Sequence, residues 1–280
     1  MNSTSSEQRC RACDGPVRKA FDAQILGRYQ VSYFRCMECD SLQSETPFWL
    51  EEAYDSAIVA TDSGAVDRNL VSHAAIVAIA ETLKIKGRLL DFGGGAGLLC
   101  RLLRDSGYDA YVHDRYADPV YARAFKVDFD TIPQHEISLL SAIEVLEHCA
   151  QPAADVGQLL QKRPKVLVAT TVPYRGEGAD WWYLGLQTGQ HVFFYSRKAL
   201  VGLAERSGYH YQGFGMFHIL TEAPISRWQQ LRLRLRLSRI GLRAMRIRLA
   251  ATQRGRHSTA DFDRLCKELE LRQRQRDERS

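Results

Sequence analysis

Between Leu89 and Leu99 the chain reads LLDFGGGAGLL, an apolar strand pattern that runs into glycines and out again into an apolar, arginine-dotted helix pattern. Gly93, Gly95 and Gly97 fit D-x-G-x-G-x-G behind Asp91. Such a loop turns the backbone sharply at the start of a helix and brings it close to a ligand where any Cβ would collide. No lysine followed by serine or threonine comes after it, so it is not a phosphate-gripping loop. The pattern continues by alternation. Strands are predicted over 88–92, 110–113, 136–142 and 166–170, and helices over 97–106, 152–161 and 197–207. Two late strands within 211–220 form a closing antiparallel hairpin. This is the signature of an α/β fold, a Rossmann-like, mostly parallel sheet with helices on both faces. A chain of 280 residues with 45% hydrophobic content buries one such core and carries small modules at its ends.

The N-terminal module holds CRAC at Cys10 and Cys13 and CMEC at Cys36 and Cys39. Each C-x-x-C brings two thiolates to one ion from a tight turn, and two such turns close a tetrahedral zinc site with no open position. Between them, Ile25-Leu26-Gly27 and Tyr29–Phe34 read as short strands of a zinc ribbon. Two disulfides are the competing reading, and they require an oxidising compartment. The zinc is expected to be structural, because about 40 residues supply little core of their own. The boundaries read as a ribbon over 1–48, an α/β domain over 49–224 and a basic helical tail over 225–280.

Charge is divided unevenly. Residues 227–280 hold 16 of the 38 Lys and Arg but only 6 of the 33 Asp and Glu, so the body is mildly acidic and all the excess basicity is in the tail. A body of that sign does not grip a nucleic-acid backbone, and no nucleic-acid partner is expected. Neither a basic-then-apolar leader nor 18 successive apolar residues are present. The expected location is the cytoplasm.

LLDFGGGAGLL, Asp114 seventeen residues past Gly97, and AIEVLEH at Ala142–His148 together resemble a class I S-adenosylmethionine-dependent methyltransferase over roughly residues 85–220. An NAD-binding dehydrogenase shares the glycine turn and the downstream acid, but not EVLEH directly after a strand. WWYLGLQTGQHVFFYS, from Trp181 to Ser196, and the upstream stretch Tyr54–Leu70 resemble methyltransferases of bacterial glycan biosynthesis clusters.

The resemblance implies roles. Gly93, Gly95 and Gly97 pass close to the methionine part of S-adenosylmethionine, and Asp91 orients that loop. Asp114 accepts hydrogen bonds from the ribose hydroxyls, with Asp118 its rival. Asp128 and Phe129 lie where relatives contact adenine. Glu144, Glu147 and His148 fall at the C-terminal end of a parallel strand, where open α/β sheets bind ligands. His148 and His191 are the candidate bases for an acceptor hydroxyl, and Glu147 stands with them as a candidate catalytic residue. Scaffolding of the cofactor pocket is the other reading of His148. In some similar quinone methyltransferases the same acids and histidine bind a divalent ion, so a metal-assisted version stays open. The aromatic Trp181–Tyr183 run suits a sugar ring with one apolar face. The expected acceptor is a small-molecule or lipid-linked glycan. Two other readings remain: O-methylation of a quinone or small aromatic, and a zinc-ribbon adaptor that has lost activity.

Residues 227–256 hold ten arginines and no acid. The period of a strand breaks at Ser238, and one long amphipathic helix is predicted. Arg232, Arg236, Arg239, Arg243 and Arg246 line one stripe, and Leu231, Leu235, Leu242, Met245 and Leu249 an adjacent one. An anionic membrane surface is the expected partner, which would place the chain peripherally on the inner membrane face. Docking of the helix on the acidic body is the alternative.

Overall fold

The computed structural model describes residues 8–56, 63–252 and 258–277. The strands are β1 (Val17–Ile25), β2 (Tyr29–Cys36), β3 (Leu42–Ser44), β4 (Arg88–Phe92), β5 (Ala110–His113), β6 (Ile137–Ile143), β7 (Val166–Thr170), β8 (Phe193–Phe194), β9 (His210–Phe214) and β10 (Phe217–Thr221). The helices are α1 (Leu50–Ser56), α2 (Ala65–Leu83), α3 (Leu98–Asp105), α4 (Pro152–Gln161), α5 (Arg197–Arg206), α6 (Arg227–Arg236), α7 (Arg239–Thr252) and α8 (Ser258–Asp277). This is the α/β, Rossmann-like fold that the alternating pattern predicts. The chain forms two compact units, Met1–Ala65 with Pro133–Ser226, and Val66–Ile132 with Arg227–Ser280.

In the first unit β6 and β7 run parallel, Leu139 opposite Val166 through Ile143 opposite Thr170. Nearly all of their residues are buried, as continuous apolar runs such as VLVAT require when both faces of a strand are covered. β10 pairs antiparallel with β7 and with β9, which is the closing hairpin. Pro152 opens α4, and the Ser196 hydroxyl accepts the Ala199 N–H to cap α5.

The cysteine-bearing segment belongs to the same unit. β1 and β2 form a hairpin in register from Val17 opposite Cys36 to Ile25 opposite Tyr29. Leu26 and Gly27, expected at a strand end, are instead the centre of its three-residue loop Leu26–Arg28, both with positive φ, and the Arg28 N–H closes the turn on the Ile25 carbonyl at 3.1 Å. β3 pairs with β2 on one side and with β8 on the other, Leu42 opposite Phe194 and Gln43 opposite Phe193. One core follows from that pairing. Ile25, Val31, Tyr33, Leu42 and Trp49 bury their side chains with Tyr183, Leu184, Val192 and Phe194. A segment too short to enclose a core has completed one with strands 150 residues downstream.

In the second unit β4 and β5 run parallel, Leu89 opposite Ala110 to Phe92 opposite His113. α2 buries ten side chains, and α3 turns Leu99, Cys100, Leu103 and Arg104 inward. α8 is anchored to α3 through Asp261, whose carboxylate accepts both Nε and Nη2 of Arg104 at 2.9 and 2.8 Å and Nη2 of Arg101 at 3.0 Å.

The predicted single tail helix is two. α6 ends at Arg236 and α7 begins at Arg239. Ser238 makes the corner: its hydroxyl accepts the Gly241 N–H at 3.1 Å, the bond of an N-cap. The break also divides the predicted arginine stripe. Arg236 reaches Glu81 of α2, Arg246 reaches Asp67, and Arg232, Arg239 and Arg243 stay exposed. Of the expected segments, 253–256 in the tail and 57–62 in the Tyr54–Leu70 stretch lie outside the described residues.

Candidate active site

The glycine loop leaves β4 in the second unit. Asp91, the penultimate residue of that strand, is buried. Gly93, Gly95 and Gly97 all have positive φ, but the tightest position is Gly94. A Cβ there would stand 2.5 Å from Asp91 Oδ2 and 2.6 Å from Val112 of β5, so only glycine fits. Gly95 is the opposite case. A Cβ there meets nothing within 4 Å, and its φ is +54°. Its N–H donates to Asp114 Oδ2 at 2.8 Å.

Asp114 thus ties the loop to the end of β5. Its Oδ1 accepts the N–H groups of Tyr116 and Ala117 at 2.8 and 2.7 Å, while Oδ2 keeps one acceptor position beyond Gly95. Asp118 forms a surface ion pair with Arg123 at 2.6 Å instead. Asp128 is exposed and accepts the Asp130 N–H at the head of a short 3-10 turn. Phe129 is buried, its ring centroid 4.9 Å from Phe92 and 5.8 Å from His113, and its N–H donates to His113 Nδ1. The structure therefore brings Asp91, the glycines and Asp114 together directly. Phe129 reaches them through His113 and Phe92, and Asp128 turns instead to the N–H of Asp130.

In the first unit EVLEH leaves β6. Glu144 has φ +52°, held there by Thr170 of β7: the Glu144 N–H donates to the Thr170 hydroxyl, and that hydroxyl donates to Glu144 Oε1 at 2.7 Å. The following 3-10 turn, Leu146–His148, sinks Glu147 completely. Tyr183 donates its hydroxyl to Glu147 Oε1 at 2.7 Å and lies 3.4 Å from Glu144 Oε2. Tyr183 was visible in sequence only as one aromatic in WWYLG; its burial beside two carboxyls is what gives it a role.

Burial, and then the charge of Glu144, push the Glu147 carboxyl up to about 8, so near neutral pH it is a protonated acid. Burial also raises the Tyr183 phenol, with the two glutamates adding to the effect, so Tyr183 remains a donor. An unfolded glutamate releases its proton near 4.5 while the folded one keeps it to about 8. Glu147 therefore favours the folded state below its unfolded pKa and loses that contribution as pH rises from there through about 8. Glu147→Gln is accordingly expected to raise the melting temperature relative to wild type more at pH 8 than at pH 5. Parallel thermal melts check this, and equal differences at both pH values would place the proton elsewhere.

His191 comes from the TGQH loop, whose other residues are structural. Gly189 lies where a Cβ would be 2.6 Å from Ile25, its carbonyl accepts Trp49 Nε1–H at 2.7 Å, and Gln190 donates to the Ala53 carbonyl. His191 Nδ1 is 2.7 Å from the Tyr183 carbonyl, which only accepts, so Nδ1 carries the proton and Nε2 is left as the basic nitrogen. Burial lowers its pKa against the opposing pull of that carbonyl, which favours the neutral ring. The His148 ring lies edge-on to His191, with centroids 4.9 Å apart, and its Nδ1 is 3.2 Å from the Tyr54 hydroxyl. Glu147, His148 and His191 offer ligand atoms within 4.8 Å of one another, a spacing open to a proton relay or to a cation. Phe193 and Phe194 are fully buried packing, and Trp182 holds its ring 75% exposed beside Tyr183.

The cysteine module reaches this cluster through Arg11, the R of CRAC. Its guanidinium donates to the carbonyls of Val192, Ser44 and Ala150 at 2.6, 3.2 and 3.3 Å. Val192 in turn donates its N–H to the Glu147 carbonyl. The four Sγ atoms lie within 4.8 Å of one another, Cys10 to Cys39 at 3.6 Å and Cys13 to Cys36 at 3.5 Å. These distances are far beyond a disulfide of about 2.05 Å. They are close to the ~3.8 Å between sulfurs arranged tetrahedrally around an ion at about 2.3 Å. The N–H groups of Glu38 and Cys39 both point at Cys36 Sγ, as donors that stabilise a thiolate.

Residues 67–212 match the family model described as a methyltransferase domain. The match spans slightly over half of the chain, which belongs to that family. A search of curated proteins finds no match. Among solved structures, magnesium protoporphyrin IX methyltransferase from Synechocystis PCC 6803 with bound SAM is similar at 15% identity and TM-score 0.42, over 61% of this chain and 86% of that one. TnmH is similar at 17% identity and TM-score 0.39, over 56% of each chain. The mitomycin 7-O-methyltransferase MmcR is similar at 19% identity and TM-score 0.38, over 54% of this chain and 52% of that one. The chain thus spans little more than half the length of TnmH and MmcR. Likeness at this level carries no information about the acceptor.

Proposed function

We propose that the chain transfers a methyl group from S-adenosylmethionine to a hydroxyl of a sugar or glycan intermediate. Family membership supports the reaction class. The observation that carries the acceptor reading is His191: a ring fixed by the Tyr183 carbonyl with Nε2 left basic, packed on the Tyr183 ring, which also packs against the exposed indole of Trp182. A basic imidazole suits a hydroxyl acceptor, and a bare indole face suits the apolar face of a sugar.

When bound, S-adenosylmethionine supplies an electrophilic methyl on a positively charged sulfur. Gly95 leaves the space that such a molecule needs, Asp114 Oδ2 has an acceptor position for a ribose hydroxyl, and Asp91 steadies the loop. His191 Nε2 accepts the proton of the acceptor hydroxyl and returns it to solvent. Glu147, protonated and held by Tyr183, keeps the surroundings of His191 from accumulating a second negative charge. The test is incubation with methyl-labelled S-adenosylmethionine and panels of glycosides and of phenols. Label on glycosides supports the reading. Label on phenols alone replaces the acceptor class, and no label on any acceptor rejects the activity.

We infer that the four cysteines hold one structural zinc ion, whose donor set and sulfur spacing they match. Dialysed protein is then expected to retain about one zinc per chain, and Cys36→Ser to lose it. Arg11 and the pairing of β3 with β8 link the module to Val192, so loss of the metal is expected to slow methyl transfer as well as loosen the fold. Elemental analysis and activity of the variant check both, and wild-type protein free of zinc would dismiss the ion.

A further inference from the structure

The tail helices α6 and α7 each carry two apolar faces, and only one of the two is covered. Leu233, Leu237 at the corner, Met245 and Leu249 are buried. On the same inner side Arg236 and Arg248 both reach Glu81 of α2, and Arg246 reaches Asp67 near its start. The docking of the tail on α2 is therefore accounted for by these residues and the two acids of that helix.

The outward side repeats the apolar pattern. Trp228, Leu231 and Leu235 follow one another at helical spacing on α6, and Ile240 and Ile247 on α7, all five exposed, Ile240 to 83%. Among them stand Arg227, Arg232, Arg234, Arg239 and Arg243, also exposed, none paired with an acid among the described residues. A merely solvated face has no use for an indole and four aliphatic side chains. A face that packs on protein does not leave five arginines unpaired. The combination has one natural neighbour. At the headgroup region of an anionic bilayer, apolar side chains enter the acyl boundary while arginines remain at the phosphates, their stems covering apolar surface.

We infer that the outward face of α6 and α7 docks on the surface of an anionic lipid bilayer. The docking is peripheral, since no described helix is long and apolar enough to cross a membrane. A nucleic-acid strand would satisfy the arginines and leave Leu235, Ile240 and Ile247 in water, which is why lipid is the better fit. The inference does not depend on which acceptor is methylated.

The test is co-sedimentation of the full chain with phosphatidylcholine vesicles and with phosphatidylcholine–phosphatidylglycerol vesicles at two to one. Pelleting is expected only with the anionic vesicles, weakening as salt is added. The binding should shift tryptophan emission to the blue, and the shift should be lost in Trp228→Phe. The triple change Arg232→Gln, Arg239→Gln, Arg243→Gln should lower partitioning on the order of a hundredfold. The triple change Leu235→Ser, Ile240→Ser, Ile247→Ser should lower it at least as far. All six side chains are exposed, so both variants should melt as wild type and keep their affinity for S-adenosylmethionine, which separates this inference from the proposed reaction. Equal pelleting of wild type and both variants, equal pelleting with neutral vesicles, or binding to single-stranded RNA without vesicle binding would each overturn it.

Discussion

Replacing Gly95 by valine is expected to weaken S-adenosylmethionine binding severely while the chain stays folded. The position is open, with nothing within 4 Å of an added Cβ, so the new side chain enters the open space proposed for S-adenosylmethionine rather than packed protein. A β-branched residue at φ +54° adds backbone strain of about 1–3 kcal/mol, which lowers the melting temperature without unfolding a domain of this size. Affinity should fall on the order of a hundredfold or more. Gly94→Ala is the instructive contrast. Its Cβ collides with Asp91 and Val112, so stability and binding should fall together. Calorimetry and thermal melts on both variants separate the two cases, and unchanged affinity in Gly95→Val would move the donor site away from this loop.

His191→Ala should slow methyl transfer by roughly 10²–10⁴-fold with S-adenosylmethionine affinity little changed. Because burial lowers its pKa from the ordinary 6.5, His191 stays neutral and basic through the physiological range. The rate should therefore hold level above that pKa and decline as pH falls through it, the acid limb lying below pH 6.5. Removing the imidazole should abolish that limb along with the rate. His148 turns its Nδ1 to the Tyr54 hydroxyl at 3.2 Å, and His148→Ala should slow the reaction less. A His191→Ala enzyme with wild-type turnover would mean that the reaction needs no base at this position.

Much of this was readable in the residues. β4, β5, β7 and α4 fall where the alternating pattern puts them, because each is a short apolar run with clear punctuation. The glycine motif pointed to Gly93, Gly95 and Gly97 but not to Gly94, whose constraint depends on Val112 lying across from Asp91 in the register of β4 with β5. Such a pairing has no local sequence signal. Tyr183 was hidden for a similar reason, since its importance comes from Glu144 and Glu147 about 40 residues earlier. The corner at Ser238 has a local signal, a serine three residues before a glycine where the Leu-Arg alternation breaks, but the apolar and arginine residues on both sides of it also fit one continuous helix. The inward turn of Arg236, Arg246 and Arg248 required Glu81 and Asp67, more than 150 residues away in sequence. The paired C-x-x-C turns predict the clustering of the four cysteines, and strands do lie between the pairs. Its dependence on β8 lay outside any local pattern.

The account stands or falls on the donor, and calorimetric titration of S-adenosylmethionine into the wild-type chain tests it most directly. Binding of one molecule per chain with a dissociation constant on the order of micromolar, weakened by Gly95→Val, is the predicted result. Absence of binding by a folded, zinc-loaded chain at millimolar S-adenosylmethionine would contradict it.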